Sequence, residues 1–224
     1  MSNSSWKAAA RIIDISAVRS FNTESDVRET VRIAKQYGFI NVHSLPRFTS
    51  LVSRLLADEP DIYTGAPVGF PGGGHKTEVK ILEARQLIED GVEEMDIVMN
   101  IGLFRSGEDE LVLDELKQIV SMTPQNVKTK VIIEINVLSD EEMMRAVKLV
   151  MRSGADFVKT GTGWVPGDAN ISRIGMIMRE AKGNIKVKAS GGIRTLEEFE
   201  KLRALGVDRF GINLKSALEI VEGS

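Results

Sequence analysis

A lysine at the end of a short apolar run is the first residue in this sequence whose placement could serve chemistry. Residues 155–158 have the length of a strand, end at Lys159 and precede a Thr/Gly-rich loop at residues 160–163. Burial lowers the pKa of a lysine, because desolvation disfavours the charged form. A neutral amine can attack a carbonyl, so this placement predicts that Lys159 is a Schiff-base nucleophile. The competing interpretation, the commoner one for a lysine seen alone, is a strand-end lysine that extends to solvent.

Other charged residues also lie within apolar, strand-like runs. Asp96 is one, and Lys186 and Lys188 are two more. A second lysine beside Lys159 would lower the pKa of Lys159 by like-charge repulsion, and an aspartate could take and return a proton. Lys188 is the better candidate, because Lys186 shares its direction but lies about 6.6 Å further from the C-terminal end of the strand.

Two interpretations of these buried charges stay open. They could form an interior salt-bridge cluster that only fixes strand register, since structural ion networks also perturb pKa values. They could instead form a catalytic site with the other polar residues at predicted strand ends. That set comprises Asp14, Ser16, His43, Asp96, Asn100, Glu134, Asn136, Lys159, Lys188 and Gly211.

Short β-rich runs alternate with helix-period runs along the chain. The predicted strands are 11–16, 39–43, 61–67, 94–99, 130–135, 155–159, 185–189 and 207–212. The predicted helices are about 24–37, 46–57, 76–90, 109–121, 139–152, 171–182, 195–205 and 215–221. Gly38 is expected to end the first of these helices, and Ser139 and Thr195 are expected to cap two others.

Eight strands, each followed by a helix at a pitch of roughly 25 residues, predict a (β/α)₈ TIM barrel. We expect a single domain over residues 1–224. A doubly wound open sheet would give the same alternation, but eight evenly spaced units favour closure. In a barrel of this kind, functional residues lie at the C-terminal ends of the strands.

Three glycine-rich loops are candidate binding elements. Residues 190–192 and 211–213 follow the seventh and eighth strands, where such barrels commonly bind phosphate through backbone N–H groups; two tight turns are an equally good interpretation. Residues 69–77 imitate a P-loop, but Phe70 and His75 occupy glycine positions of that motif, so nucleotide binding has weak support. We expect the third loop to shape the mouth of the site.

Composition excludes several classes of protein. The net charge is −3, with no basic stripe, which gives nucleic-acid binding little support. No apolar run could span a bilayer, and residues 1–10 lack an apolar segment of signal-peptide length. The chain has no cysteine and only two histidines, so a disulfide is excluded and a transition-metal site is not expected. The absence of cysteine fits the cytoplasm.

Five segments together resemble the deoxyribose-phosphate aldolase family, class I aldolases on a TIM barrel. In chain order they read EEMDIVMN, KVIIE, GADFVKTGTG, VKASGGIRT and RFG, and the match runs from about Ile12 to Gly211. The resemblance implies that Lys159 forms the Schiff base, Lys188 tunes it and Asp96 relays protons. The positions it associates with substrate and phosphate are Asp14, Ser16, Thr162, Gly191, Gly192 and Gly211.

The sequence also departs from the family pattern. Ile212, Asn213 and Leu214 stand where small hydroxyl residues are frequent after the eighth strand. We expect backbone N–H groups and the Asn213 side-chain amide to bind phosphate instead. His43 stands where the family often has a cysteine, and Gly161 stands where serine is usual.

The resemblance implies reversible cleavage of 2-deoxy-D-ribose 5-phosphate to D-glyceraldehyde 3-phosphate and acetaldehyde, with no cofactor and no metal. The altered eighth-strand loop keeps open a related Schiff-base aldolase that acts on a different, perhaps unphosphorylated, aldehyde or ketose. A non-catalytic binding barrel is a third interpretation, against which the intact Lys159, Lys188 and Asp96 argue. Neither nucleic acid nor membrane is an expected partner, and a homo-oligomer is left open.

Overall fold

Residues 3–223 are described by a computed structural model, and their strands form one closed parallel barrel. The predicted domain bounds, residues 1 and 224, lie outside the described residues. The strands are β1 Ile13–Ala17, β2 Asn41–Ser44, β3 Tyr63–Val68, β4 Glu94–Val98, β5 Lys128–Ile132, β6 Phe157–Lys159, β7 Lys186–Ser190 and β8 Arg209–Asn213.

Helices follow the strands on the outside of the barrel. They are α1 Asn3–Ala10, α2 Glu24–Tyr37, α3 Thr49–Leu56, α4 Thr77–Glu89, α5 Ile101–Arg105, α6 Asp109–Met122, α7 Asp140–Ser153, α8 Ile171–Ala181, α9 Leu196–Ala204 and α10 Leu214–Glu222. Single 3₁₀ turns lie at Pro46–Phe48 and Ile135–Val137.

Closure is completed by β1 and β8, which pair in parallel with Ser16 opposite Asn213. This confirms the predicted (β/α)₈ TIM barrel and excludes the doubly wound open sheet, because an open sheet leaves its first and last strands unpaired.

Local sequence signals set the helix ends. Thr23, Ser139 and Thr195 each form a capping box with an acidic residue three positions later, at the starts of α2, α7 and α9. Helix α2 ends at Gly38, whose φ of 71° is readily adopted by glycine. The caps predicted at Gly38, Ser139 and Thr195 are therefore confirmed.

Some predicted boundaries are wrong by a few residues. The fifth strand begins at Lys128 and ends at Ile132, because Glu134 turns the chain out of the ladder with a φ of 53°. Helices α1 and α5 were not predicted. Helix α5 begins beside Asn100, whose side-chain oxygen accepts a hydrogen bond from Leu103 N at 3.2 Å.

The period of two along each strand separates two environments. On β1, Ile13 and Ile15 belong to the apolar core packed by the helices, whereas Asp14 points into the barrel. The same alternation on β4, β7 and β8 sends Asp96, Lys188 and Arg209 inward. The barrel interior therefore collects charged side chains from strands far apart in the sequence.

Candidate active site

Lys159 ends β6 and lines a cavity of about 380 Å³ together with the polar residues at other strand ends. Its Nζ lies 2.6 Å from Asp96 Oδ2. Lys188 Nζ donates to the same oxygen at 2.8 Å and lies 2.5 Å from Asp14 Oδ2. All four residues are buried, so the two lysines share one carboxylate in a region shielded from solvent.

Burial is the largest influence on Lys159 and lowers its pKa to about 8. Asp96 opposes the shift, and Lys188 adds to it by like-charge repulsion with a smaller effect than burial. Lys188, the lysine expected to tune Lys159, is thus a secondary cause of the lowered pKa, and burial is the main cause. An amine with a pKa of about 8 is partly neutral near neutral pH and can act as a nucleophile.

Lys188 responds in the opposite direction although it is just as deeply buried. Burial alone would lower its pKa, but the carboxylates of Asp14 and Asp96 outweigh burial and raise it. Lys188 therefore stays cationic at a pH at which Lys159 is partly neutral. Burial alone would raise the pKa of Asp96, but His43, Lys159 and Lys188 outweigh it and hold that pKa well below its usual value.

Thr162 lies in the wall of the cavity, in the loop after β6. Its backbone N donates to Glu134 Oε2 at 3.1 Å, and its hydroxyl donates to the same oxygen. Trp164 N donates to Thr162 Oγ1 at 3.0 Å. Glu134 has no place in the predicted reaction, and the structure gives it the role of holding this loop.

Glycines form the rim after β7. Gly191 and Gly192 both have positive φ, 93° and 77°. A Cβ on Gly192 would lie 2.5 Å from backbone atoms of Asp168 and Ala169, so no other residue fits there without moving the loop. Both glycines line the cavity, so the rim borders it without a side chain at either position.

Comparison with known protein families shows which family this chain belongs to. A family model described as DeoC/LacD family aldolase matches residues 9–207. The chain belongs to this family.

Two curated relatives of this DeoC/LacD-family chain carry the same name. The protein from Sinorhizobium medicae (strain WSM419), "Deoxyribose-phosphate aldolase", is 44% identical over 212 residues, which covers 95% of this chain and 85% of that protein. The protein of the same name from Bacillus cereus (strain ATCC 10987 / NRS 248) is 37% identical over 209 residues, 93% of each chain. The chain is thus similar over nearly its whole length to aldolases, a class of lyases.

Solved structures of other aldolases share the fold of this chain. The deoxyribose phosphate aldolase from Aeropyrum pernix, described as a unique tetrameric structure, superimposes with a TM-score of 0.89 at 31% identity and covers 98% of this chain and 92% of its own. An aldolase named QR15 gives a TM-score of 0.89 at 36% identity, with 96% and 94% covered.

Of the residues that the sequence nominated, Asn100, Glu134 and Asn136 are not in the cavity lining, whereas His43 and ten others are. These ten are Lys159, Asp96, Lys188, Asp14, Ser16, Thr162, Gly191, Gly192, Gly211 and Asn213. The loop at 69–77 contributes Phe70, whose ring meets Trp164 edge-on at 5.7 Å between centroids. The two loops at the cavity mouth are thus in contact through their aromatic rings.

The Asn213 side chain has a structural role beside the phosphate-binding role that was expected of it. Asn213 caps α10, accepting from Ser216 N at 3.1 Å through Oδ1 and donating from Nδ2 to Ser216 Oγ at 3.1 Å. An amide held in this way has one N–H left, so Asn213 is first a helix cap and only second a donor for substrate.

Lys186 was expected to point the same way as Lys188 from a position further from the C-terminal end of the strand, and the alternation along β7 places both on one face. Lys186 is exposed at the start of β7, with its Nζ 5.5 Å from the ring centroid of Phe157. Lys130, which points into the barrel, lies over the same ring at 5.6 Å, so Lys186 lies at the N-terminal end of the barrel, away from the cavity.

Sequence reasoning missed a second group of charges below Lys159. Lys130 Nζ lies 2.5 Å from Glu94 Oε2, and Arg209 contacts Glu94 Oε1 at 2.5 Å and Asp14 Oδ1 at 2.9 Å. The available signal was strand parity, because Glu94 lies two residues before Asp96 and Arg209 lies two residues before Gly211, each on the same face of its strand.

A metal site finds no support in the part of the chain that the structure describes, where no three His, Cys, Asp or Glu side chains group to hold an ion. Among residues 3–223 no helix has both the length and the apolar character needed to cross a membrane.

Proposed function

We propose that this aldolase reversibly cleaves 2-deoxy-D-ribose 5-phosphate to D-glyceraldehyde 3-phosphate and acetaldehyde through a Schiff base on Lys159. The observation that carries the proposal is the buried Lys159 amine, with a pKa lowered to about 8, placed 2.6 Å from Asp96 at the base of a cavity. The names of the curated relatives support the substrate.

The chemistry follows from these groups. The Lys159 amine attacks the aldehyde carbon, and loss of water gives an iminium ion that accepts electrons from the neighbouring bond. The C3 hydroxyl loses its proton to Asp96, with Lys188 as a fixed cation beside it. The C2–C3 bond breaks, C3 becomes the aldehyde of glyceraldehyde 3-phosphate, and the bonding electrons form an enamine. Protonation of the enamine carbon and hydrolysis release acetaldehyde.

Phosphate recognition requires donors at the mouth, where the usual hydroxyls after β8 are missing. Two arginines line this part of the cavity. Arg194 is paired with Asp168 at 2.8 Å, whereas Arg19 has no carboxylate within 4.0 Å among residues 6–223. Arg19 donates to Gly163 O at 3.0 Å and lies over the Trp164 ring. A guanidinium has five N–H donors, so Arg19 keeps donors for a phosphate.

The deciding experiment compares cleavage of 2-deoxyribose 5-phosphate with cleavage of unphosphorylated 2-deoxyribose. We expect a clear preference for the phosphorylated sugar, and Arg19→Gln should raise KM for that sugar alone. Arg32→Gln, an exposed arginine on α2, is the control and should change neither. A wild-type preference for unphosphorylated sugar would replace the substrate with that of a related Schiff-base aldolase.

Two further properties belong to the proposal. We infer a homo-oligomer, because the Aeropyrum pernix relative is described as tetrameric; light scattering should give a multiple of 24.7 kDa. We infer a cytoplasmic location, because a chain without cysteine suits a reducing compartment. Cell fractionation tests the location.

A further inference from the structure

His43 is a buried side chain at the base of the cavity that the reaction described above does not use. It lies on β2 and is 5% exposed. Its Nε2 is 3.0 Å from Asp96 Oδ2, the same oxygen that Lys159 and Lys188 contact.

The proton on the other ring nitrogen is fixed by a chain of contacts. Asn41 Nδ2 donates to Glu94 Oε2 at 2.8 Å. Burial alone would raise the pKa of Glu94, but Lys130 and Arg209 outweigh it, so the pKa is lowered and the carboxylate only accepts. Asn41 must therefore turn its carbonyl Oδ1 toward His43 Nδ1, 2.5 Å away. Because an amide oxygen cannot donate, Nδ1 carries the proton.

Nε2 is then the only ring nitrogen whose protonation can change. Charged groups from four strands act on the ring: Asp96 on β4, Lys188 on β7, Lys130 on β5 and Asp14 on β1. Burial is the largest influence and lowers the pKa of His43 to about 4, with Asp96 opposing and the two lysines adding to the shift. At neutral pH the ring is neutral and Nε2 has a free electron pair.

Two acceptors thus face each other at 3.0 Å with no proton between them. We propose that His43 Nε2 and Asp96 Oδ2 together hold the proton that leaves the substrate during catalysis. The inference rests on the Schiff-base reaction proposed above. It adds His43 as a positioning residue that acts through Asp96.

The proton transfer balances. The C3 O–H bond breaks and its proton forms a bond to Asp96 Oδ2, while the electron pair forms the carbonyl of the leaving aldehyde. The new Oδ2–H donates to His43 Nε2. The proton then returns to the enamine carbon, so Asp96 and His43 end as they began.

The need for an acceptor follows from the surroundings of Asp96. Lys159, Lys188 and Lys130 all lie within 4.0 Å of its carboxylate and favour the charged form. A protonated Asp96 is therefore unstable unless its proton has an acceptor, and His43 Nε2 is placed to accept it.

Nitrogen-15 NMR tests the resting state in the unmodified site. The chain has two histidines, and His75 is exposed, so a His75→Gln protein leaves one imidazole to observe. We expect a protonated Nδ1 and a bare Nε2 at neutral pH. A protonated Nε2 in the resting enzyme would overturn the inference.

Two reactions of acetaldehyde separate proton holding from packing. Borohydride trapping measures imine formation at Lys159, and exchange of the methyl protons in D₂O measures proton transfer at the enamine carbon. In His43→Gln we expect trapping to persist while exchange falls about ten-fold or more. His75→Gln is the matched control and should retain both.

The outcomes are distinct. Unchanged exchange in His43→Gln overturns the inference alone, and an equal fall in trapping and exchange overturns it in favour of a packing role. A wild-type protein that shows neither trapping nor exchange would overturn the Schiff-base proposal and this inference together. Neither reaction uses phosphate, so the identity of the sugar does not affect the test.

Discussion

Lys159 and Lys188 are opposite each other on β6 and β7, and their pKa values move in opposite directions. Both lysines are buried, and burial by itself would lower the pKa of each. The difference lies in the anions: Lys188 contacts Asp14 and Asp96, whereas Lys159 shares Asp96 with other cations. The additional carboxylate is that of Asp14. It keeps Lys188 cationic, whereas Lys159 remains able to act as a nucleophile.

Replacing Lys188 should change the pH dependence of Lys159. The neutral amine is the reactive form, so borohydride trapping with acetaldehyde should rise with pH through the Lys159 pKa of about 8. Lys188→Leu removes a like charge, which raises that pKa and moves the curve to higher pH. Burial remains, so the midpoint should stay below the ordinary 10.5.

The matched control is Lys186→Leu, an exposed lysine two residues earlier on the same strand. Its trapping curve should coincide with that of the wild type. A Lys188→Leu curve that also coincides would show that Lys188 does not tune Lys159.

Asp96→Asn should slow turnover by roughly 10²-fold or more, the scale of general acid–base catalysis. The change also removes the anion that raises the Lys159 pKa, so trapping should shift to lower pH. A steady-state assay measures the slower turnover, and the trapping curve measures the shift to lower pH. Asp61→Asn, on the surface, should alter neither, and near-normal turnover in Asp96→Asn would make Asp96 a structural charge.

At the scale of elements, the loops after β6 and β7 act as one unit. Thr160 Oγ1 donates to Ser190 O at 2.8 Å and accepts from Ser190 N at 2.8 Å. Gly192 packs against the backbone of Asp168 and Ala169 further along the first loop. The strand carrying Lys159 and the rim expected to bind phosphate are thus held in one arrangement.

Gly192→Ala should disrupt that arrangement. The new Cβ would meet backbone 2.5 Å away, so the rim must move and KM for the phosphorylated sugar should rise. Gly183→Ala is the control, because Gly183 has nearly the same φ, 75° against 77°, with nothing within 4 Å of its Cβ. Both variants should lose about 1 kcal/mol from backbone strain, and only Gly192→Ala should change KM.

At the scale of the whole molecule, the barrel interior is close to charge balance. Among the described residues, the charged side chains that pair there are three carboxylates, Asp14, Glu94 and Asp96, and three basic partners, Lys130, Lys188 and Arg209. Lys159 is the additional cation. The interior is neutral when Lys159 is a neutral amine, so the fold as a whole favours the form that reacts.

Arg209 shows how this balance supports the fold. It reaches from β8 to carboxylates on β1 and β4, so Arg209→Met leaves Asp14 and Glu94 short of a partner. Breaking a buried pair costs about 3–5 kcal/mol, which urea denaturation at neutral pH should measure. Arg203→Met, in the exposed pair with Glu200, should cost about 1 kcal/mol or less.

The stability that Arg209→Met loses should be largest near neutral pH and should become smaller as the pH falls. Lysine and arginine neighbours lower the folded pKa values of Asp14 and Glu94, which stabilises the protein above the unfolded pKa values of about 4. As pH falls through the folded values this stability disappears, and the difference between wild type and Arg209→Met should shrink. An equal difference at acidic and neutral pH would contradict this account.

The sequence by itself determined the barrel and the group around Lys159. Strand and helix periods are local, and the barrel rule that functional residues lie at C-terminal strand ends makes Asp96, Lys159 and Lys188 neighbours without any coordinates. Helix ends were equally accessible, since Thr23, Ser139 and Thr195 act within one turn of chain.

The tertiary structure alone decided which charges meet. Whether Arg209 reaches Glu94, or Lys186 is exposed to solvent, depends on register and strand length, which hydrophobic patterns give only to within a few residues. The protonated nitrogen of His43 depends on Asn41, two residues earlier on β2, and Asn41 is oriented by Glu94 on β4, a contact that no local pattern encodes. The pKa values follow the same rule, because burial and neighbouring charges exist only once the barrel has closed.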